Sequence, residues 1–360
     1  MQIIRKVKKS DSFPQLTTGD LNSGEEYSHG WTAVLSFGVG LMIPRKVIQI
    51  AEDIKNMRIR GAGKIARAAV KTLRITVQKS KAKSVQELLE ELRNTARIVI
   101  NTRPTAVSLP NGIRYVSKRV HEELGRNPTV EELKETVKKA VKEFIVNSQR
   151  ALVRIGEIGA KRIRKGDVIL THCNSAAAIS VILTAAHQNK DITVFATETR
   201  PRFQGHITCK ILRNAGIDVT LIIDSAVRLY MNRINTVIVG ADAVSSNGAL
   251  VNKIGTSTIA LVAREARTLF FVAAETYKFS PETMIGELIE IEERDIEEVI
   301  DREELEKIGN PRVLNPAFDI TPPQYIDLII TEKGIIPPQA AFTILQEEFG
   351  WLASRKEQLF

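Results

Sequence analysis

The sequence predicts an α/β protein, with an N-terminal all-α domain followed by a Rossmann-like, mainly parallel sheet carrying helices on both faces. Three observations predict it. Between Pro44 and Lys165 apolar residues recur at helical spacing. Beyond Gly166, short continuous runs of Val, Ile and Leu alternate with helical segments, the pattern of parallel strands covered on both sides. The charge divides at the same place. Through Lys165 there are 33 Lys+Arg against 16 Asp+Glu, and beyond it 18 against 26, within a net charge of +9 over 360 residues.

Residues 1–41 differ from the rest. Turn formers such as Ser10-Asp11-Ser12-Phe13-Pro14 and Thr17-Thr18-Gly19-Asp20 predict a disordered or spurious extension, with Met42 as the true start. A helical domain is expected over 42–165. Val47, Ile50, Ala51 and Ile54 form one helical stripe, and Ala66, Ala69, Val70 and Leu73 a second. Further helices fit 85–102, 111–124 and 130–164, the last broken near Asn147-Ser148. Thr129-Val130-Glu131-Glu132 reads as a helix start with acidic residues in its first turn. A Rossmann-like catalytic domain is expected over 166–352, with strands at 168–171, 192–196, 219–223, 236–240, 269–273 and 326–330. Residues 353–360 form a tail.

Several classes are disfavoured. Two cysteines, Cys173 and Cys209, make no disulfide framework, so a cytoplasmic protein is expected. No run spans a bilayer, because 31–42 is too short and interrupted by glycines, and no membrane association is expected. There is no aromatic RNA-binding motif or zinc finger, and nucleic acid is not the favoured partner. The basic half suits the acidic half of a neighbouring subunit or a polyanionic small substrate. No glycine-rich dinucleotide fingerprint follows the first strand and no metal-ligand spacing occurs, so neither cofactor nor metal is expected.

Polar residues crowd the ends of all six expected strands, the edge at which open α/β sheets bind ligands. Cys173 sits where the first strand hands over to a helix capped by Asn174 or Ser175. A thiol there is biased toward thiolate by the helix end, or else is simply a small buried hydrophobe. Asp242 follows Val237-Ile238-Val239-Gly240-Ala241. Partial desolvation would raise its pKa and suit it to donate a proton, while the plainer reading is a helix N-cap. Arg58-Ile59-Arg60-Gly61-Ala62-Gly63-Lys64 is a basic turn running into a helix, suited to a phosphate. Arg103, Lys253 and Lys278 add cations, and two such clusters suit a substrate phosphorylated at both ends.

These residues also compose a family signature. It comprises Thr171-His172-Cys173-Asn174-Ser175, Glu198-Thr199-Arg200-Pro201 with Gln204-Gly205, Gly240-Ala241-Asp242, Asn252-Lys253-Ile254-Gly255-Thr256 and Asn315-Pro316-Ala317-Phe318-Asp319-Ile320-Thr321-Pro322-Pro323. From about Ile43 to Trp351 the chain resembles the family uniting sugar-phosphate isomerases with the α, β and δ regulatory subunits of translation initiation factor 2B. Arg60-Gly61-Ala62-Gly63-Lys64, Thr102-Arg103-Pro104-Thr105 and Ala274-Glu275-Thr276-Tyr277-Lys278 are most similar to its archaeal ribose-1,5-bisphosphate isomerase branch. Methylthioribose-1-phosphate isomerase and a non-catalytic regulatory subunit are the alternatives.

The resemblance implies a proton acceptor at Cys173 and a proton donor at Asp242. It implies sugar-phosphate binding by Arg60, Gly61, Ala62, Gly63, Arg103, Ser175, Ala176, Ala177, Asn252, Lys253 and Lys278, with no cofactor or metal. Ala176 stands where the resemblance leads one to expect a lysine. The implied reaction converts ribose 1,5-bisphosphate to ribulose 1,5-bisphosphate, in salvage of AMP-derived ribose toward RuBisCO. The implied assembly is a homo-oligomer built from dimers, such as a hexamer.

Overall fold

A computed structural model describes residues 43–103, 105–350 and 360. The expectations for 1–41 and for 353–359 lie outside these residues. Residues 43–360 form one compact unit. It opens with α1 (Arg45–Lys55), α2 (Ala62–Lys79), α3 (Val85–Ile100), α4 (Ser108–Leu124) and α5 (Val130–Ala160). Their apolar stripes close on a common core that includes Val47, Ile54, Leu73, Leu92, Ile113 and Val141.

The α5 helix starts on a capping box, with Thr129 and Glu132 each accepting from the other's backbone N–H. The break expected near Ser148 does not occur. Ser148 is buried, and its hydroxyl donates to the Ile145 carbonyl of its own helix at 2.9 Å, so the polar side chain is satisfied without unwinding a turn. The helix ends at Ala160 rather than Arg164.

The remaining elements are β1 (Val168–Thr171), α6 (Ala176–His187), β2 (Thr193–Thr197), α7 (Gln204–Asn214), β3 (Asp218–Ile222), α8 (Val227–Tyr230), β4 (Thr236–Val239), β5 (Ala243–Val244), β6 (Leu250–Lys253), α9 (Thr256–Ala266), β7 (Leu269–Ala273), α10 (Arg302–Lys307), β8 (Phe318–Thr321), β9 (Leu328–Thr331), β10 (Gly334–Ile336) and α11 (Ala341–Phe349). All six expected strands are present, β1 and β7 with the expected bounds and the other four shifted by a residue or two at their ends. With β10 they form a seven-stranded sheet in the order β10-β9-β7-β4-β1-β2-β3. Every pairing in it is parallel except that of β10 with β9.

Two apolar layers cover this sheet. One runs through Val237, Val272, Ala260 and Leu345, the other through Ile169, Ile182, Ile238 and Ile155. The second layer joins the helical segment to the sheet, because α5 lies against α6. At their crossing a Cβ on Gly156 would fall 2.5 Å from Ser180 Oγ and 2.7 Å from Thr184 Oγ1, so only glycine permits the approach.

A second, antiparallel sheet, β5-β6-β8, takes β5 and β6 from between β4 and β7 and β8 from between β7 and β9. Strand β5 has only two residues, and β6 (Leu250–Lys253) and β8 (Phe318–Thr321) mix polar with apolar residues, so no continuous apolar run marks them. No helix among the described residues is long and apolar enough to cross a membrane.

Candidate active site

Strand order reverses at β1. From it β2 and β3 run outward on one side, and β4, β7 and β9 on the other. The crevice outside the carboxyl ends of β1 and β4 is therefore the topological switch point, where open α/β sheets take their ligands. Cys173 lies two residues beyond β1 and Asp242 three beyond β4. Neighbouring strands thus deliver Cys173 and Asp242 to one cleft of about 420 Å³. Its wall includes Arg60, Gly61, Ala62, Gly63, Arg103, Ser175, Ala176, Asn252, Lys253 and Lys278. Of the substrate-binding residues expected from the sequence only Ala177 is off this wall. Its side chain is buried in the layer between α6 and the sheet. A larger cavity of about 700 Å³ lies among α4, α5 and the 276–278 turn, but it holds none of the expected residues.

Cys173 is held by its surroundings rather than by a helix end. It adopts φ 67° and its neighbour Thr199 adopts φ 62°, left-handed conformations that a non-glycine residue keeps only when partners enforce them. The partners are visible. Cys173 N–H donates to Thr199 Oγ1 at 2.9 Å, Thr199 N–H donates to Asp224 Oδ1 at 2.8 Å, and Thr208 Oγ1 donates to the Cys173 carbonyl at 2.7 Å. The thiol points to Gln204 Oε1 at 3.5 Å.

The expected bias toward thiolate is overturned. Ser175, one of the two expected caps, caps α6, accepting from Ala178 N–H at 3.3 Å, and Cys173 stands two residues before it. Burial pushes the Cys173 thiol up to about 11, the charge of Asp242 pushes the same way, and Lys253 and Arg294 only partly oppose them. Alkylation of Cys173 by iodoacetamide should therefore keep rising with pH, close to tenfold per unit from about pH 7 to about pH 9.5, because only the thiolate reacts. A plateau near pH 8 in the rate of peptide-mapped Cys173 labelling would contradict this.

Asp242 is half-buried, and its N–H donates to the Val251 carbonyl at 2.9 Å. It leads directly into strand β5, not into a helix, so it is not an N-cap. The adjacent His172 takes no part in the cleft's chemistry by its geometry. Its Nε2 faces the Ile254 carbonyl at 2.9 Å and so carries the proton, leaving Nδ1 to accept from Thr197 Oγ1 at 2.6 Å. Burial holds its pKa down, so the neutral ring ties the ends of β1, β2 and β6 together.

The cations enter from both parts of the chain. Gly61 (φ 89°) is the N-cap of α2, which brings that helix's first N–H groups and exposed Arg60 to the cleft. From the sheet side come Lys253 and Lys278, each about one-twentieth exposed. Lys253 Nζ lies 4.8 Å from the centre of the Phe318 ring, and burial lowers its pKa. Lys278 Nζ lies 2.7 Å from Glu275 Oε2. Burial alone would raise the Glu275 carboxyl, but Lys278 outweighs it and the net shift is downward. Lining residues to which the sequence reading gave no role include Arg67, Arg202, Glu275, Glu290, Arg294 and Gln204, the thiol's partner. Gln204 stood in the signature, whereas Arg294 lies in an irregular acidic stretch with no periodicity to mark it.

A model described as the initiation factor 2 subunit family matches residues 58–338. The chain belongs to the initiation factor 2 subunit family. Among its relatives is the ribose 1,5-bisphosphate isomerase of Pyrococcus furiosus, 58% identical over 320 residues that cover 89% of this chain and 99% of the relative. Among solved structures, translation initiation factor eIF-2B from Pyrococcus horikoshii OT3 superposes with a TM-score of 0.70 at 31% identity, covering 82% of this chain and 98% of the other. The 5-methylthioribose 1-phosphate isomerase of the same organism gives 0.69 at 33%, covering 85% and 88%. Within the family this chain is an isomerase, as its high identity to isomerases over most of its length shows.

Proposed function

We propose that the chain converts ribose 1,5-bisphosphate to ribulose 1,5-bisphosphate. The observation that carries this reading is the convergence of Cys173 and Asp242 with cations from both parts of the chain in one cleft. In this substrate the C1 oxygen is a phosphate ester, so the ring cannot open to a free aldehyde. Asp242 gives a proton to the ring oxygen, and the ring opens to a cation at C1. That cation acidifies the C2 proton, which the Cys173 thiolate takes, leaving an enol. Return of the proton from sulfur to C1, with loss of the C2 hydroxyl proton back to Asp242, gives the ketose. Over the cycle each group gives up and regains one proton, so both end as they began. The helical part (42–165) and the sheet part (166–352) act as two lobes around the substrate, excluding water from the intermediate.

The same reading places the reaction in salvage of AMP-derived ribose toward RuBisCO, in the cytoplasm, by a homo-oligomer. The deciding experiment is an assay of the purified protein with ribose 1,5-bisphosphate and methylthioribose 1-phosphate. Turnover of the second sugar alone makes it the other isomerase, and turnover of neither overturns the substrate proposed here.

Arg60→Ala should weaken binding of the bisphosphate by at least about tenfold, the worth of one charge-assisted contact, and less on a sugar lacking one phosphate. Equal losses on both would argue against a phosphate role. Lys278→Ala should do this and also lower stability by about 3 kcal/mol, because it strands the buried Glu275 carboxylate. Denaturant unfolding separates the two effects, and Lys278→Ala with unaltered stability would remove that ion pair from the account.

A further inference from the structure

We propose that Arg294 is a phosphate-binding residue of the cleft, and that Glu292 is the positioning residue that sets Arg294 and Arg103 side by side. The inference rests on the isomerase reading and adds a subsite to it. Both guanidiniums line the cleft and are about one-tenth exposed, whereas Glu292 is not on the cleft wall. Glu292 Oε2 accepts from Arg103 Nη2 and lies 3.4 Å from Thr105 Oγ1, while Oε1 accepts from Arg294 Nε at 3.1 Å. One carboxylate thus takes a single N–H from each of two forks that carry five apiece. Among the described residues no other side chain takes a hydrogen bond from either guanidinium, which leaves the remaining donors for a ligand in the cleft.

The ring of Phe318 sets the other side. Arg294 Cζ lies 5.6 Å from its centre and Lys253 Nζ 4.8 Å, so both cations are fixed against one aromatic surface. Arg103 and Arg294 share the carboxylate of Glu292, and Lys253, on which Asp242 and Asp319 also act, adds a third cation, a set of donors suited to a phosphate ester. Without a carboxylate between them, two buried guanidiniums would repel. Glu292 therefore makes their approach tolerable as well as orienting them. Its carboxyl is raised by burial, but Arg103 and Arg294 pull it below the usual range and keep it charged.

The test is calorimetric titration of ribose 1-phosphate and ribose 5-phosphate into wild type, Arg294→Ala and Glu292→Gln, with thermal unfolding of each and wild-type turnover of ribose 1,5-bisphosphate measured alongside. Arg294→Ala should weaken one monophosphate by at least about tenfold and leave the other nearly unchanged. In turnover the loss should appear in KM rather than kcat. If the alanine variant unfolds, Arg294→Gln, which keeps a donor near the place of Arg294 Nε toward Glu292 but removes the rest of the guanidinium, takes its place with the same expectation. Glu292→Gln supplies a diagnostic sign. Removing a negative charge beside the subsite would tighten phosphate binding if charge alone mattered, whereas loss of positioning should weaken the same monophosphate. Equal losses on both sugars, or phosphate binding as tight or tighter in Glu292→Gln, would overturn the proposal. Wild type that binds neither monophosphate would also overturn it. If the wild type binds them but does not turn over the bisphosphate, the substrate reading falls, and a selective loss in Arg294→Ala still supports the subsite.

Discussion

Cys173→Ser is expected to cut turnover by about two to four orders of magnitude, the usual worth of a positioned base. Serine has nearly the same volume but does not ionise in the accessible range, so the C2 proton would lose its acceptor. Asp242→Asn should cost a similar factor by removing the donor to the ring oxygen while keeping the shape. The two serve one proton itinerary, so the double variant should lose far less than the product of the single losses. Substrate should still bind, since the cations lie elsewhere on the wall. Folding should be little changed, although Thr199, Thr208 and Gln204 all lean on Cys173. Single-turnover kinetics with calorimetric binding of the bisphosphate checks each point. Near-normal turnover in Cys173→Ser would make the thiol a packing residue and end the mechanism proposed here.

Gly205→Ala should be among the most damaging single changes to the fold, costing at least about 3 kcal/mol, at the upper end for overpacking. A Cβ there would lie 1.7 Å from the Thr197 carbonyl oxygen and 2.8 Å from its carbon. Both are backbone atoms of β2, so no side chain can yield, and α7 must leave the strand. That displacement would carry Gln204 away from the Cys173 thiol and Thr208 away from the Cys173 carbonyl, so the site should fail with the fold. Gly216→Ala provides the contrast. Its φ is 78° but nothing lies within 4 Å of the added carbon, so it should cost only about 1 kcal/mol of backbone strain. Urea unfolding of the two variants measures both, and equal costs would show that close approach to β2 is not what Gly205 supplies.

The periodic part of the chain was legible in one dimension. The helices of the first half, the six parallel strands and the polar strand ends follow from spacing that any short window displays, because 3.6-residue and continuous apolar patterns are local properties. The signature residues likewise announced Cys173 and Asp242. What spacing does not carry is the partner across space. The β5-β6-β8 sheet went unseen because β5 has two residues, β6 and β8 carry polar residues within them, and the three gain their pairing from one another. Ser148 leaves α5 unbroken because its hydroxyl finds a carbonyl within its own helix.

The protonation of the site was decided in the same way. A helix end suggested a thiolate at Cys173, and burial together with Asp242 made it a thiol. Arg294 belongs to an irregular acidic stretch, and only folding brings it beside Arg103 on the shared carboxylate of Glu292. By itself, then, the sequence determined the class of fold, the family signature and the two candidate residues Cys173 and Asp242, since each is written in residues close together along the chain. Tertiary structure alone decided which cations share a carboxylate and which side chains reach the cleft. It also decided whether sulfur holds its proton, because desolvation and Coulomb interactions depend on distances between residues far apart in the chain.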